Sequence, residues 1–171
     1  MKEEMTNNVP INVQDVIDAQ ERWGEAILRI GRVYTTGGDA RAAADAMLDT
    51  LYAYRSTPGG VHTLFKPTLA RTFPFRLDHE SARSYFIGRD RAFPEDTGFA
   101  LRCWTRVRWE RAGIRIMGDV AVSMGRYYFM DPSGIELAVE FSFVYQRHGD
   151  TLKIILHDSH LPYAGAPSSR L

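Results

Sequence analysis

The sequence predicts an α+β domain in which three helices precede an antiparallel meander sheet. Up to residue 87, apolar residues recur every three or four positions, which is the period of a helix with one buried face. Beyond residue 100 the period changes to two, the period of a strand. Tight turns separate the alternating runs, and strands joined by tight turns lie antiparallel. Helices first and strands second indicate α+β rather than an alternating α/β fold.

Three segments combine the helical period with residues that can begin or end a helix: 13–34, 40 to about 54, and 80–87. Asn12, Asp39 and Asp78 stand at or just before their starts, where a side-chain oxygen can accept a hydrogen bond from a free N–H group of the first turn. Gly37 and Gly88 follow the first and third segments, and glycine readily takes the left-handed conformation that ends a helix.

Four long strands are predicted, with an irregularity at Gly113 in the first: 101–117, 120–130, 135–146 and 151–163. A short extended segment, 61–67, precedes the third helix. The central strands are apolar on both faces, whereas three helices can cover only one face of a sheet. We therefore expect the other face to pair with a second copy of the chain, giving a homodimer or a larger oligomer.

Composition limits the classes of function. The 171 residues form one predicted domain at 13–163, between a flexible lead at 1–12 and a tail at 164–171. The formal net charge is zero, which argues against nucleic acid or an anionic membrane as a partner. Apolar runs are too short for a signal peptide or a membrane span, so we expect a cytoplasmic protein. Neither the single cysteine, Cys103, nor the histidine spacing fits a metal site, so no cofactor is expected.

Sharp motifs are concentrated in the last third of the chain: Met117-Gly118-Asp119, Tyr128-x-x-Asp131-x-x-Gly134, Glu140, and His157-x-Ser159-x-x-Pro162. With the order of elements, these motifs resemble the nuclear-transport-factor-2-like (SnoaL-like) superfamily. Within it, the closest resemblance is to the association domain of calcium/calmodulin-dependent protein kinase II and its stand-alone bacterial relatives. The resemblance implies a strongly bent sheet that forms a cone with an internal pocket, but no kinase activity.

One departure from that pattern bears on the ligand. Association domains carry arginines in the pocket, and the matching positions here hold Gly125, Phe143 and Asp158. The resemblance therefore does not imply the same anion-binding site. Other members of the superfamily are isomerases, dehydratases and polyketide cyclases, and the fold alone does not select among them.

His157 and Ser159 are two residues apart on one predicted strand and share a face, whereas Asp158 points the other way. These three residues cannot converge as a catalytic triad. His157 is a candidate acid or base in the pocket, and the alternative is a histidine that is hydrogen-bonded within the core. Ser159 is a candidate ligand-binding residue beside it.

Glu140 lies among apolar residues, where a carboxylate facing the cone would have the raised pKa of a general base. The alternative is an interface carboxylate paired with an arginine. Lys66, in a short apolar run, could bind an acidic ligand or pair with Glu140, or its long side chain could simply reach solvent.

Trp23, Tyr52 and Tyr127 are candidate aromatic residues of the cone wall, and the Tyr127 hydroxyl could orient a ligand oxygen. Ordinary core packing is the alternative for all three. The function expected from these residues is a homo-oligomeric small-ligand-binding or assembly domain without chemistry. The alternative is a small isomerase, dehydratase or cyclase that uses Glu140 or His157 as general base, with Lys66 or Tyr127 stabilising an oxyanion.

Overall fold

The computed structural model describes residues 9–55 and 63–165. It contains three α-helices: α1 Val13–Thr35, α2 Ala40–Leu51 and α3 His79–Ile87. It also contains five strands: β1 Leu64–Lys66, β2 Arg106–Met117, β3 Val120–Met130, β4 Glu136–His148 and β5 Thr151–His160. The predicted α+β fold, with helices packed on an antiparallel meander, is confirmed. The remaining residues, which include most of the predicted lead and tail, lie outside the described part of the chain.

The predicted capping residues begin all three helices. Each accepts a hydrogen bond from a backbone N–H of the first turn: Asn12 from Asp15 at 3.0 Å, Asp39 from Ala42 at 2.9 Å and Asp78 from Ser81 at 2.8 Å. Asp15 also accepts from Arg147 of β4 at 2.7 Å, which ties the start of α1 to the sheet. The start of α1 is therefore stabilised both by its local cap and by a contact distant in sequence.

The sheet is open, with strand order β1-β5-β4-β3-β2. Neighbours among β2 to β5 are antiparallel, and β1 adds parallel to β5. Bulges between Arg111 and Gly113 and between Val144 and Tyr145 bend the strands. Gly125 lies opposite the first bulge, where a Cβ atom would come within 2.2 Å of the Glu110 carbonyl oxygen. Only glycine lets the strands approach so closely at this bend.

The helices cover the inner face of the sheet. Strand alternation directs large side chains to this face from the three central strands: Tyr127 and Phe129 from β3, Phe141, Phe143 and Tyr145 from β4, and Ile154 and His157 from β5. Helix α1 packs on them through Trp23, Ile27 and Ile30, all essentially without solvent contact. The aromatic candidates of the sequence therefore meet in one core beneath α1.

Three predicted boundaries are corrected. The first long strand begins at Arg106 rather than at residue 101, because Phe99–Arg102 form a 3₁₀ turn and Cys103 has a left-handed φ of 59°. Helix α2 ends at Leu51, since Tyr52 turns extended and pairs with Ile154 of β5. The last strand ends at His160 rather than at residue 163.

The outer face of the sheet is more polar than predicted from the sequence. Ion pairs cross it, including Arg126 with Glu140 at 2.8 Å and Arg108 with Glu136 at 3.2 Å. An exposed apolar patch lies at its β1 end and consists of Leu64, Phe75 and Leu77. None of the helices within residues 9–55 and 63–165 is both long and apolar enough to cross a membrane. The cytoplasmic location stays a prediction.

Candidate active site

The imidazole of His157 lies at the centre of the core and is 2% exposed. Its ring is stacked between two aromatic rings, Phe65 of β1 at a centroid distance of 4.8 Å and Phe143 of β4 at 4.1 Å. The Trp23 ring meets it edge-on at 5.4 Å. Apolar surfaces therefore surround the ring, and its two nitrogens are the atoms left for polar contacts.

Both nitrogens of His157 have hydrogen-bonding partners. Nδ1 lies 2.9 Å from the Tyr52 hydroxyl oxygen, which also accepts from the indole N–H of Trp23 at 2.9 Å. On the other side, Nε2 lies 2.9 Å from Ser159 Oγ and 3.1 Å from the Tyr127 hydroxyl. The Ser159 and Tyr127 hydroxyls also hydrogen-bond to each other. These five residues, Trp23–Tyr52–His157–Ser159–Tyr127, form what we call the buried polar chain.

Different parts of the fold deliver the members of the buried polar chain. Strand alternation brings His157 and Ser159 to the inner face of β5. Tyr127 reaches them from β3, across the intervening strand β4. Tyr52 arrives because the end of α2 pairs with β5 at Ile154. The five residues singled out from sequence as candidates for the cone thus come together, although they are distant in the chain.

Burial keeps the five residues of the buried polar chain uncharged. Desolvation lowers the pKa of His157 to about 3, so its imidazole is neutral at physiological pH. Desolvation also raises the pKa of the Tyr127 and Tyr52 hydroxyls, and hydrogen bonds from Ser159 and Trp23 oppose the rise only in part. The buried polar chain is therefore held together by hydrogen bonds between neutral groups near neutral pH.

A small cavity lies against one end of the buried polar chain. The space that the centre of a water-sized molecule can occupy there is about 10 Å³, which is close to the minimum for one water. Ten residues line it: Trp23, Phe65, Pro67, Thr68, Tyr85, Phe86, Phe99, Tyr127, His157 and Ser159. The lining is mostly apolar and includes four residues that carry hydroxyl groups, so the site suits a very small molecule.

Two further residues line this cavity, Thr68 and Tyr85, and neither was predicted from the sequence as a site residue. Thr68 comes two residues after the end of β1, and β1 pairs with β5 beside His157. No spacing rule predicts that pairing, because a three-residue parallel edge strand leaves almost no periodic signal.

Two acidic residues, Glu95 and Asp96, hold the segment that follows Thr68. The carboxylate of Glu95 accepts hydrogen bonds from the backbone N–H groups of Arg71, Thr72 and Phe73 at 2.9, 3.0 and 2.7 Å. These bonds lower the pKa of Glu95 to about 2. Farther along, Arg76 and Asp96 form a fully buried bidentate pair at 2.6 and 2.7 Å. Residues 67–76, which we call the cavity roof because Pro67 and Thr68 line the cavity, are thereby fixed at two points.

The structure does not bring Glu140 or Lys66 to the cavity. Glu140 lies on the outer face of β4, where its hydrogen bond to Arg126 lowers the pKa of the carboxyl instead of raising it. The Lys66 ammonium donates to the backbone carbonyl of Ser159 at 2.9 Å and lies 3.8 Å from Asp158. Neither side chain faces the cone, because strand alternation turns both to the outer side, and Glu140 pairs with an arginine as in the alternative interpretation.

No group of three or more His, Cys, Asp and Glu side chains that could hold a metal ion occurs within residues 9–55 and 63–165. His157 and His160 lie on opposite faces of β5, and His160 contacts Glu140 at 3.2 Å. The side chains with polar groups that line the cavity include four with hydroxyl groups and one imidazole.

Comparison with known proteins identifies a family. A family model described as "Metal-independent carbonic anhydrase" matches residues 14–161. A protein of that name from Nostoc sp. strain PCC 7120 is 41% identical over 163 residues, which cover 91% of this chain and 76% of the relative. The crystal structure of an iota-carbonic anhydrase from a cyanobacterium, complexed with bicarbonate, has a TM-score of 0.87 at 37% identity and covers 96% of this chain and 100% of its own.

More distant structures share the fold alone. A Xanthomonas campestris structure named after the calcium/calmodulin-dependent protein kinase II association domain has a TM-score of 0.61 at 18% identity, covering 96% of this chain and 99% of its own. A Streptomyces avermitilis structure of the nuclear-transport-factor-2-like family has a TM-score of 0.53 at 15% identity, covering 89% of this chain and 97% of its own. The predicted fold is confirmed by these structures, whereas the choice of the association domain as nearest group is corrected by the family model and the 37%-identical structure.

The expected function, a binding or assembly domain without chemistry, is wrong. The matching family model, the 41%-identical relative and the 37%-identical structure are all named after an enzyme. These findings favour the alternative of a small enzyme. The reaction differs from the isomerase, dehydratase and cyclase types that the superfamily resemblance suggested.

Proposed function

This chain belongs to the metal-independent carbonic anhydrase family, and on that basis we propose that it interconverts carbon dioxide and bicarbonate in the cavity beside His157. The observation that carries this proposal is the cavity itself, which joins the buried polar chain to an aromatic wall. The solved relative that was crystallised with bicarbonate supports the choice of ligand.

The size of the cavity supports a one-carbon substrate. Room for about one water molecule is far too little for the substrates of dehydratases or polyketide cyclases. Carbon dioxide and water have only three atoms each, so admitting both displaces the lining side chains far less than those larger substrates would. Carbon dioxide carries no net charge, which suits walls formed by Phe65, Phe86 and Phe99.

Because the buried polar chain is neutral, it supports a proton relay rather than catalysis by an ionised base. We infer that the water oxygen bonds to the carbon while one π pair of carbon dioxide moves to an oxygen. A hydroxyl of the Ser159–Tyr127 pair takes a proton from the water and passes its own proton to that oxygen. The product is carbonic acid, which loses a proton to solvent and leaves as bicarbonate, so atoms and charges balance. The reverse sequence dehydrates bicarbonate.

The enclosing aromatic rings strengthen this step. They exclude other water molecules, so each hydrogen bond to the developing oxygen charge acts in surroundings of low dielectric constant. The fixed roof at Glu95 and the Arg76–Asp96 pair keeps Thr68 and Tyr85 against the reacting molecules. Little reorganisation is then needed during the reaction.

A stopped-flow assay with a pH indicator tests the proposal. Protein dialysed against a chelator is mixed with dissolved carbon dioxide, and acidification faster than in buffer is expected. Ser159→Ala should reduce kcat by about 100-fold, the typical cost of removing one hydrogen-bonding group from a transition state. Ser133→Ala, in the exposed β3–β4 turn, is the matched control and should retain the rate. Wild-type protein that does not exceed the buffer rate would exclude the proposed function.

We also propose that the chain forms a homodimer through its outer face. The apolar patch of Leu64, Phe75 and Leu77 is exposed by 54%, 68% and 47%, which is unusual for side chains of this size on a free surface. The patch lies beside Lys66 and Asp158, a pair of opposite charges that a second copy could meet in reverse order. The fold is shared with association-domain structures, which supports assembly of this kind.

A further inference from the structure

The buried polar chain begins at a group that can only donate. The indole N–H of Trp23 has no lone pair to offer, and it lies 2.9 Å from the Tyr52 hydroxyl oxygen. Within the described part of the chain, the Tyr52 hydroxyl has one other hydrogen-bonding neighbour, Nδ1 of His157 at 2.9 Å. Tyr52 is fully buried, so water does not take the place of a missing partner.

These two contacts determine the direction of the Tyr52 hydrogen. It cannot point to the indole, because that side is occupied by an N–H group. If Nδ1 of His157 carried a proton, the tyrosine would accept twice and its own hydrogen would be buried without an acceptor, which native structures avoid. The Tyr52 hydroxyl therefore donates to Nδ1, and the single proton of the neutral imidazole lies on Nε2.

The same direction continues toward the cavity. The Nε2–H group faces the oxygens of Ser159 and Tyr127 at 2.9 and 3.1 Å, and these two hydroxyls hydrogen-bond to each other. One of these two oxygens accepts from Nε2–H, and one of the two hydroxyls donates to the other. One O–H group therefore remains over, but unlike the Tyr52 hydrogen it can be accepted by a molecule in the cavity, which Ser159 and Tyr127 both line.

We propose that Trp23 and Tyr52 are positioning residues that fix His157 as its Nε2–H tautomer and thereby aim one hydroxyl hydrogen at the cavity. His157 is then a donor that orients the Ser159–Tyr127 pair, not the general base expected from sequence. The role in catalysis rests on the proposed function: the aimed hydroxyl donates to the oxygen of carbon dioxide on which charge develops.

The tautomer can be read directly from protein labelled with ¹⁵N in its histidines, of which the chain has five. Long-range ¹H–¹⁵N spectra distinguish a protonated ring nitrogen from an unprotonated one, and the His157 signals are assigned by their absence from His157→Gln. We expect wild-type protein to show protonated Nε2 and unprotonated Nδ1. A wild-type spectrum with the proton on Nδ1 would overturn the inference.

Two variants test the positioning residues. Tyr52→Phe leaves Nδ1 without a hydrogen-bond donor. Trp23→Phe removes the indole N–H, so the Tyr52 hydrogen no longer has to point to Nδ1. The Nδ1–H form of His157 should therefore become populated in both variants. The rate of carbon dioxide hydration should fall about 10- to 100-fold, as when a residue that orients a functional histidine is removed. Unchanged tautomer populations in both variants would overturn the role of Trp23 and Tyr52.

Trp109→Phe is the matched control. Trp109 belongs to the same aromatic cluster, at a centroid distance of 6.1 Å from Trp23, but its indole N–H has no hydrogen-bond partner among the described residues. It should keep the wild-type tautomer. If Tyr52→Phe does not fold, the wild-type spectrum and Trp23→Phe still decide. A wild-type Nε2–H form without hydration activity would refute the proposed function alone, whereas an active Nδ1–H form would refute this inference alone.

Discussion

The imidazole of His157 and the phenyl ring of Phe143 lie nearly parallel, with centroids 4.1 Å apart and planes 21° apart. The two residues are direct partners on the adjacent strands β5 and β4, so the sheet register itself sets the stack. Phe65 closes the other side of the imidazole. This enclosure excludes water from the ring and makes the neutral form of His157 the stable one.

Stability should therefore decrease in acid because of His157. The unfolded chain binds a proton at this residue near pH 6.5, whereas the folded chain binds it only near pH 3, the lowered pKa. Between these values the free energy of unfolding should fall by about 1.4 kcal/mol per pH unit from this group alone. Urea denaturation of wild type and His157→Gln at several pH values measures the difference in slope. Equal slopes for the two proteins would show that the histidine is not held neutral.

A methyl group added to Ser159 should block the cavity while leaving the hydroxyl in place. The available space of about 10 Å³ is too small to hold both that methyl group and a substrate. Ser159→Thr should therefore lose most of the hydration activity. Ser123→Thr is the control. It adds the same methyl group to another buried serine of the inner face, which is hydrogen-bonded to Gln20 and does not line the cavity. A fully active Ser159→Thr protein would place the reaction elsewhere.

Glu95→Gln should loosen the cavity roof. The negative carboxylate that accepts three backbone N–H groups is replaced by a neutral amide, which accepts more weakly. Hydrogen–deuterium exchange of residues 67–73 should become faster and the hydration rate should fall. Because the folded pKa is about 2 against an ordinary 4.5, wild type keeps the carboxylate's contribution above pH 4.5 and loses it as pH falls toward 2. Glu25→Gln, on the exposed side of α1, should change neither property.

A charge in the apolar patch should separate the proposed dimer. Phe75→Glu introduces a carboxylate that would be buried without a partner in the dimer interface. Light scattering after size-exclusion chromatography should give a dimer mass for wild type and a monomer mass for this variant. Val9→Glu changes an exposed apolar residue outside the patch and should remain dimeric. A monomeric wild type at micromolar concentration would refute the dimer.

The fold could be predicted because its signals are local. Caps at Asn12, Asp39 and Asp78 and the change of period after residue 100 depend only on neighbouring residues. Element ends were less accurate where a long-range contact decides, as at Tyr52, which leaves its helix to pair with Ile154.

Part of the site could also be predicted, since strand alternation puts His157 and Ser159 on one face. The same alternation separates Glu140 from Phe141 and Phe143, and it outweighs the apolar surroundings that suggested a buried carboxylate. The proposed reaction could not be predicted, because the site proposed for it consists of neutral residues from α1, α2, β3 and β5 that meet only through tertiary packing. Neutral hydroxyls and one imidazole have no characteristic spacing in a sequence.

The residues lining the cavity carry no formal charge at neutral pH, and this has a consequence for the two directions of flow. Carbon dioxide leaves water for an aromatic chamber at almost no cost, whereas bicarbonate must give up its hydration shell and finds no cation in exchange. Under the proposed function, we therefore expect the cavity to favour carbon dioxide over bicarbonate, and the anion to leave once formed without the movement of a lid.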